Sequence, residues 1–464
     1  MKIAYAVVAL LMISAASSIF AADVPPTPAT PPLTYNAISD AKYYPKPDLP
    51  KIGPAPFLFK DPTFHCPMIR ISDEKTFNGD PILTPAGSVQ NTFNTDSTLF
   101  VVQSSGGRAI PFSFDPKTLQ ASRIERLETL PYLAGDTPFS HQEKDVCFGK
   151  NAANGTLVKF NFTTRKTAEV CDLAQLTGLP VQNNHLGTLT VSSNDVLCTC
   201  FGGAGQNRDI YCVAYDINKK TYHLWDTDKM TIDGKPAQGA VQMTMHACEI
   251  DFTGRYVVVT PGRGSRVRWV WDTEKAAVTP IEAVAGGHAV LGYGVMVNDD
   301  HRFFIRGLDP EGIKNPKPLM DHPAEQGYFG YDSHSSWNNL REGKLLPVIA
   351  STEHAQELAD PKCAYGDEVF AVATDRSGKI WRFCHTRTFV HLPARDAAGE
   401  RAVPADRANM AAAQPNNFWD TPRGNVSQDG RFFMFNSNWE DSLGKDRAGR
   451  PRQDVFIVKL EQSE

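Results

Sequence analysis

The chain has 464 residues, 41% of them hydrophobic and 10% aromatic, which is ample for a folded core and excludes wholesale disorder. Lys+Arg 47 against Asp+Glu 52 leaves a net charge of -5, the wrong sign for a protein that lives on phosphate contacts, so nucleic acid is not an expected partner. With 34 Gly and 33 Pro and no heptad run, turns should be frequent, long helices few, and a coiled coil absent.

In chain order, Lys2 precedes an apolar run from Ile3 to Ile13, followed by small residues and Ala21-Ala22. This layout predicts a signal peptide over 1–22, and the run is too short to serve comfortably as a membrane anchor. A secreted or periplasmic chain without a transmembrane span in its mature part is expected. Residues 23–60 are Pro-rich, and proline at this density fixes φ and removes donors, so a tether or surface-wrapping arm is expected there. Nine cysteines leave at least one thiol free. Cys198 or Cys200 with Cys212, and Cys363 with Cys384, could each bridge a hairpin; the alternative is buried apolar thiols. Cys198-x-Cys200 places two thiols on one face of a strand, by itself a weak metal signal.

From about Asn91 the chain consists of short Val-, Phe- and Tyr-rich runs bounded by Gly, Asp and Asn, which reads as strands. Two short helices are expected, at Glu353–Ala359 and Ala405–Ala413. A turn signature recurs before apolar runs at Asn94–Thr98, Asp251–Arg255, Asn298–Arg302 and Ser427–Arg431. A second marker, FSFDPKT, FNFTTRK, AYDINKK and WVWDTEK, closes a later strand in successive units. The spacing defines about seven units between 90 and 462 and predicts an all-β, seven-bladed β-propeller over 61–464. Residues 67–72 are placed to close the ring against 454–460. Paired immunoglobulin-like sandwiches are the competing architecture, and the recurrent turn favours the ring.

Ser427-x-Asp-Gly-Arg431 followed by an apolar strand resembles the blade motif of TolB-like propellers. It is also similar to that of secreted oligogalacturonate-lyase-like propellers, over about Asn91–Leu460. That resemblance implies a metal-dependent lyase cleaving uronate-containing oligo- or polysaccharide by β-elimination, with a histidine cluster near the axis. A non-catalytic envelope propeller binding a protein or glycan is the alternative.

Histidines recur near the openings of successive units: His141, His185, His246, His288 and His334. A neutral imidazole is a ligand for divalent metals and a general base. His246, His288 and His334 are the expected ligands of a divalent ion (Mn, Zn or Ca), although no second His lies two residues from His334 as the lyase pattern would have it. His246 and His288 are also candidate catalytic groups, with Arg423 as carboxylate clamp and Tyr293 as a further proton-transfer group. His141, His185, Arg263, Arg266 and Asn425 are candidate substrate contacts, and Trp337, Trp419 and Trp439 candidate sugar-stacking rings. The glycine-rich run Gly202–Gly205 lies inside a hairpin, so no nucleotide cofactor is expected. A monomer acting on an acidic carbohydrate, or binding an envelope protein, is the resulting picture.

Overall fold

The computed structural model describes residues 34–461 except 77–82, 86, 88, 105–107, 125–129, 131–135, 152–153, 182–185, 203–208, 263–266, 282–288, 299–302, 321–333, 343, 345, 356–362, 391–420 and 447–448. Antiparallel strands dominate, and each run of them is a meander in which sequential strands pair. The first contains Leu83–Pro85, Leu99–Ser104, Ala109–Asp115 and Gln120–Arg123, and the second Val146–Asn151, Thr156–Asn161 and Lys166–Asp172. The third starts at Leu186–Val191, the fourth at Met245–Ile250, the fifth at Ala289–Leu291, the sixth at His334–Ser336 and the seventh at Asn425–Val426.

The arrangement is a β-propeller. Seven apolar clusters each join one meander to the next. Val101 packs with Phe160, Phe148 with Leu197, and Cys198 with Val257. Val258 then packs with Met296, Val297 with Phe370, and Ile349 with Phe433, while Met434 returns to Phe100 and closes the circle. Hydrogen bonding among the described residues gives a different count from the seven expected: five sheets have four or more strands. The third and fourth meanders are fused into one ten-stranded sheet through the single pair Asp209↔Met245. The second meander shows three strands, its innermost segment contributing only the bridge Phe139↔Cys147.

The last meander is completed from the other end of the chain. Pro67–Arg70 pairs with Asp454–Lys459, and Phe57–Lys60 adds a fifth strand outside it. Arg70 and Asp454, both buried, form an ion pair across this closure at 2.5 Å. Residues 57–60, which the composition places in the Pro-rich arm, are therefore a blade strand.

Residues 34–56 lie along the sixth and seventh blades. Proline supplies carbonyls without N–H groups, so a Pro-rich segment docks by accepting hydrogen bonds. Arg387 donates to the Pro47 carbonyl, Trp439 Nε1 to Pro50 at 3.0 Å and Arg70 to Gly53 at 2.7 Å. Arg382 donates to the Lys42 carbonyl at 2.6 Å.

The turn signature has one physical basis at three of its four sites. The Asp251 carboxylate accepts from Arg255 N and Tyr256 N, Asn94 Oδ1 from Thr98 N and Leu99 N, and Ser427 Oγ from Phe432 N. Each side chain thereby satisfies the backbone of the hairpin joining the first and second strands. Gly254 and Gly430 adopt φ of 77° and 72°, which favours glycine. The fourth occurrence is out of step: Asn298 ends the second strand of its blade, Val295–Asn298, and leads to the third. The later marker does fall at equivalent places, after the third strand, where Asp115, Asn161, Asp216 and Asp272 accept from the backbone of the turn.

Glu353–Ala359 is not helical where it is described: His354–Ala355 pairs in parallel with Phe389–Val390. Ala405–Ala413 lies outside the described residues. Among the described residues there are two helices, both short, Leu173–Thr177 and Pro310–Lys314, each capped by an aspartate, Asp172 and Asp309. Among the described residues no helix is long and apolar enough to cross a membrane. All nine cysteines are free, buried thiols, so neither expected bridge is formed.

Candidate functional site

In a propeller the first strand of every blade lines the axis, and these strands run in one direction. A residue at the start of one therefore shares an end of the molecule with the starts of the others. His246 is exposed at the second position of Met245–Ile250, and His334 is buried at the first position of His334–Ser336, opposite Ser351. Arg423 precedes Asn425–Val426 by two residues; both Arg423 and Asn425 are buried. These four residues belong to one end. His185, His288, Arg263 and Arg266 lie outside the described residues, as does Trp419.

His141 and Tyr293 belong to the other end, because they follow their inner segments instead of opening them. The His141 ring lies 5.1 Å from that of Phe252, just beyond Met245–Ile250, and Tyr293 lies 5.5 Å from Phe252. Five residues of extended chain separate His246 from Asp251, or about 17 Å at ~3.3 Å per residue. His141 and Tyr293 are thus too far from His246 to share one ion or one reacting bond with it. Burial pushes the His141 imidazole down to about 4, with the Gln428 side chain acting in the opposite sense. Its backbone N–H donates to Asp195 at 3.2 Å. Trp337 and Trp439 are also unsuited to their expected role: both are buried, with indole N–H groups donating to the Leu346 and Pro50 carbonyls.

Between the two ends lies a cavity lined by Val89, Thr190, Glu249, Val290, Trp337 and Asn338 among others. Polar side chains tie non-adjacent inner segments across it. Asn338 Nδ2 donates to the Gln90 carbonyl at 2.6 Å, and Gln90 Nε2 to the Leu189 carbonyl at 3.4 Å. Gln428 reaches the carbonyls of Phe93 and Ser140. Neighbouring blades are stitched in the same way by Ser336 Oγ with Val426 N and by Thr190 Oγ1 with Ile250 N. Glu249, Gln90 and Asn338 escaped the sequence reading. The available signal for Glu249 was a carboxylate within an inner strand that is apolar apart from His246.

Among the described residues, the group whose ligand atoms come within reach of a single metal ion is Cys198, Cys212 and Cys248, not a set of histidines.

The fold and these positions define the class: a β-propeller with imidazole and guanidinium groups at the openings of its inner strands. Compared with solved structures, the chain is similar to an oligogalacturonate lyase in complex with manganese, at 13% identity and a TM-score of 0.50, over 92% of this chain and 96% of that one. An oligogalacturonate lyase from Vibrio parahaemolyticus aligns over 87% of this chain and 96% of its own, with 12% identity and a TM-score of 0.49. No family model and no curated protein matches the sequence.

Proposed function

We propose that the protein is a carbohydrate-active propeller, a lyase that cleaves uronate-containing oligo- or polysaccharide by β-elimination, exported to the periplasm or the medium. The observation that carries this reading is the placement of His246, His334 and Arg423 at one end of three inner strands. The propeller fold shared with a manganese-bound oligogalacturonate lyase accords with it.

The elimination needs a cation on the substrate carboxylate, a base for the proton beside it and an acid for the departing oxygen. Arg423 has the planar, permanently charged group suited to a carboxylate. His246, exposed at its strand opening, is the base in this scheme. It takes the proton, the C–H electron pair becomes the new C=C bond, and the glycosidic oxygen leaves with its bonding pair and is protonated by water. His334, with His288 preceding the first strand of the blade before it, offers imidazole donors of the right chemistry for Mn or Zn, while His246 keeps its lone pair for the proton. A bound divalent ion would supply charge neutralisation at the substrate carboxylate.

The test is incubation of the purified chain, with and without added Mn²⁺, with a panel of uronate oligosaccharides and polysaccharides. Growth of the ultraviolet absorbance of an unsaturated product is the expected result. A second reading, a propeller that holds a glycan or an envelope protein without cleaving it, is favoured by the links through Gln90 and Asn338 across the axis. It predicts calorimetric binding to members of the panel with no product.

A further inference from the structure

Four thiols meet on the seam between the third and fourth blades. Cys198 and Cys200 are two residues apart on Val196–Gly202, so both point to the same face of that strand. Cys212, on Asp209–Asp216, lies directly opposite Cys200 in register, and Cys248 comes from the inner strand Met245–Ile250 of the next blade. All four are fully buried within the apolar cluster of these two blades. The Sγ atoms of Cys198, Cys212 and Cys248 all lie within 4.8 Å of one another, and Cys198 and Cys212 are 3.8 Å apart.

That spacing is informative. A disulfide requires sulfurs about 2.05 Å apart. Tetrahedral zinc thiolates, with Zn–S of about 2.3 Å, place neighbouring sulfurs roughly 3.8 Å apart along each edge. The backbone around the cluster is held independently: Thr188 Oγ1 donates to the Cys248 carbonyl and accepts from its N–H, at 3.0 and 3.1 Å. Gly187 leaves room beside them for Cys200, since a Cβ there would come within 2.2 Å of its Sγ, which approaches Asp209 Oδ2 at 3.6 Å. We propose that Cys198, Cys212 and Cys248 form a buried structural site for a thiophilic d¹⁰ ion, zinc by its thiolate set and sulfur spacing.

Each thiol that ligates releases one proton to solvent, one S–Zn bond replaces one S–H bond, and no electron changes hands. The ion's charge offsets thiolates that are otherwise costly in an apolar seam. The sequence pattern Cys198-x-Cys200 is too short to reveal this, because its partners arrive from two other strands. The proposal does not depend on lyase activity.

The test is elemental analysis of the full chain produced in zinc-supplemented medium, followed by exchange with Co²⁺. The expected results are about one zinc per chain and, with cobalt, an intense thiolate-to-metal charge-transfer band that imidazole ligands do not give. Cys248→Ser should lose the metal, while Cys384→Ser, a buried thiol on the sixth blade, should retain it. A metal-free wild-type chain overturns the proposal. So does a disulfide joining Cys212 to Cys198 or Cys200 in a non-reduced peptide map, or a folded C248S that keeps its zinc. The wild-type metal content and cobalt spectrum decide the matter even if C248S fails to fold.

Discussion

Arg382 is wholly buried, and every direction around its guanidinium is occupied. Glu368 accepts from Nε at 2.7 Å and from Nη2 at 2.5 Å, the arm carbonyl of Lys42 takes Nη1, and the rings of Tyr44, Phe64 and Tyr365 lie around 5 Å away. Removing one partner of a buried pair leaves the other charge uncompensated. Arg382→Ala should therefore lower stability by about 3–5 kcal/mol in urea unfolding. His141 gives a prediction with a sign in pH. Its imidazole is held at about 4 in the fold, against about 6.5 in an unfolded chain. The unfolded state therefore binds more protons between these values, and stability rises with pH across the window. It is fully present above about pH 6.5 and is lost as pH falls toward 4, by at most about 3 kcal/mol. His141→Gln should flatten that slope in unfolding curves taken from pH 4 to 7. Nothing in the local sequence PFSHQEKD separates this half-buried histidine from His246, because the difference lies in which end of an inner strand each occupies.

The hairpin aspartates act at the scale of the element. Asp429 accepts from Ser427, Arg431 and, across the ring closure, Ser97 Oγ at 2.8 Å. Asp429→Ala removes the hairpin's acceptor and an inter-blade contact together. It should cost about 1–3 kcal/mol by thermal or urea unfolding, with the fold retained. Such turns made most of the strand pattern legible, since an Asp, Asn or Ser oxygen that must satisfy backbone N–H groups at a fixed offset leaves a residue-level signature. The Asn298 occurrence misled because it follows the second strand of its blade rather than the first, a difference that the short motif does not carry. Short runs such as 353–359 were ambiguous for a different reason: helical composition there is overridden by parallel pairing of His354–Ala355 with Phe389–Val390.

At the scale of the whole molecule, the ring is held by two ends of one chain. Deleting residues up to Gly53 would strip carbonyl partners from Arg382, Arg387, Arg70 and Trp439, whose donors sit in the sixth and seventh blades. A markedly lower Tm than the full chain is expected, measured by circular dichroism. The cyclic order of blades was legible from periodic turns, and the closure from the apolar runs at either end. The assignment of functional groups was legible only in part. Periodicity found the histidines but not strand direction, so residues of two ends were read as one set, and Gln90, Asn338 and Glu249 passed unnoticed. The central claim is that a uronate lyase site lies at the openings of the inner strands. The rate of unsaturated-product formation on the uronate panel, compared between wild type, Arg423→Ala and His141→Gln, tests it most directly. The account predicts product from the wild type, a loss of at least about a hundredfold in R423A, and near-unchanged activity in H141Q. No product from a folded wild type, or activity lost in H141Q and kept in R423A, would contradict it.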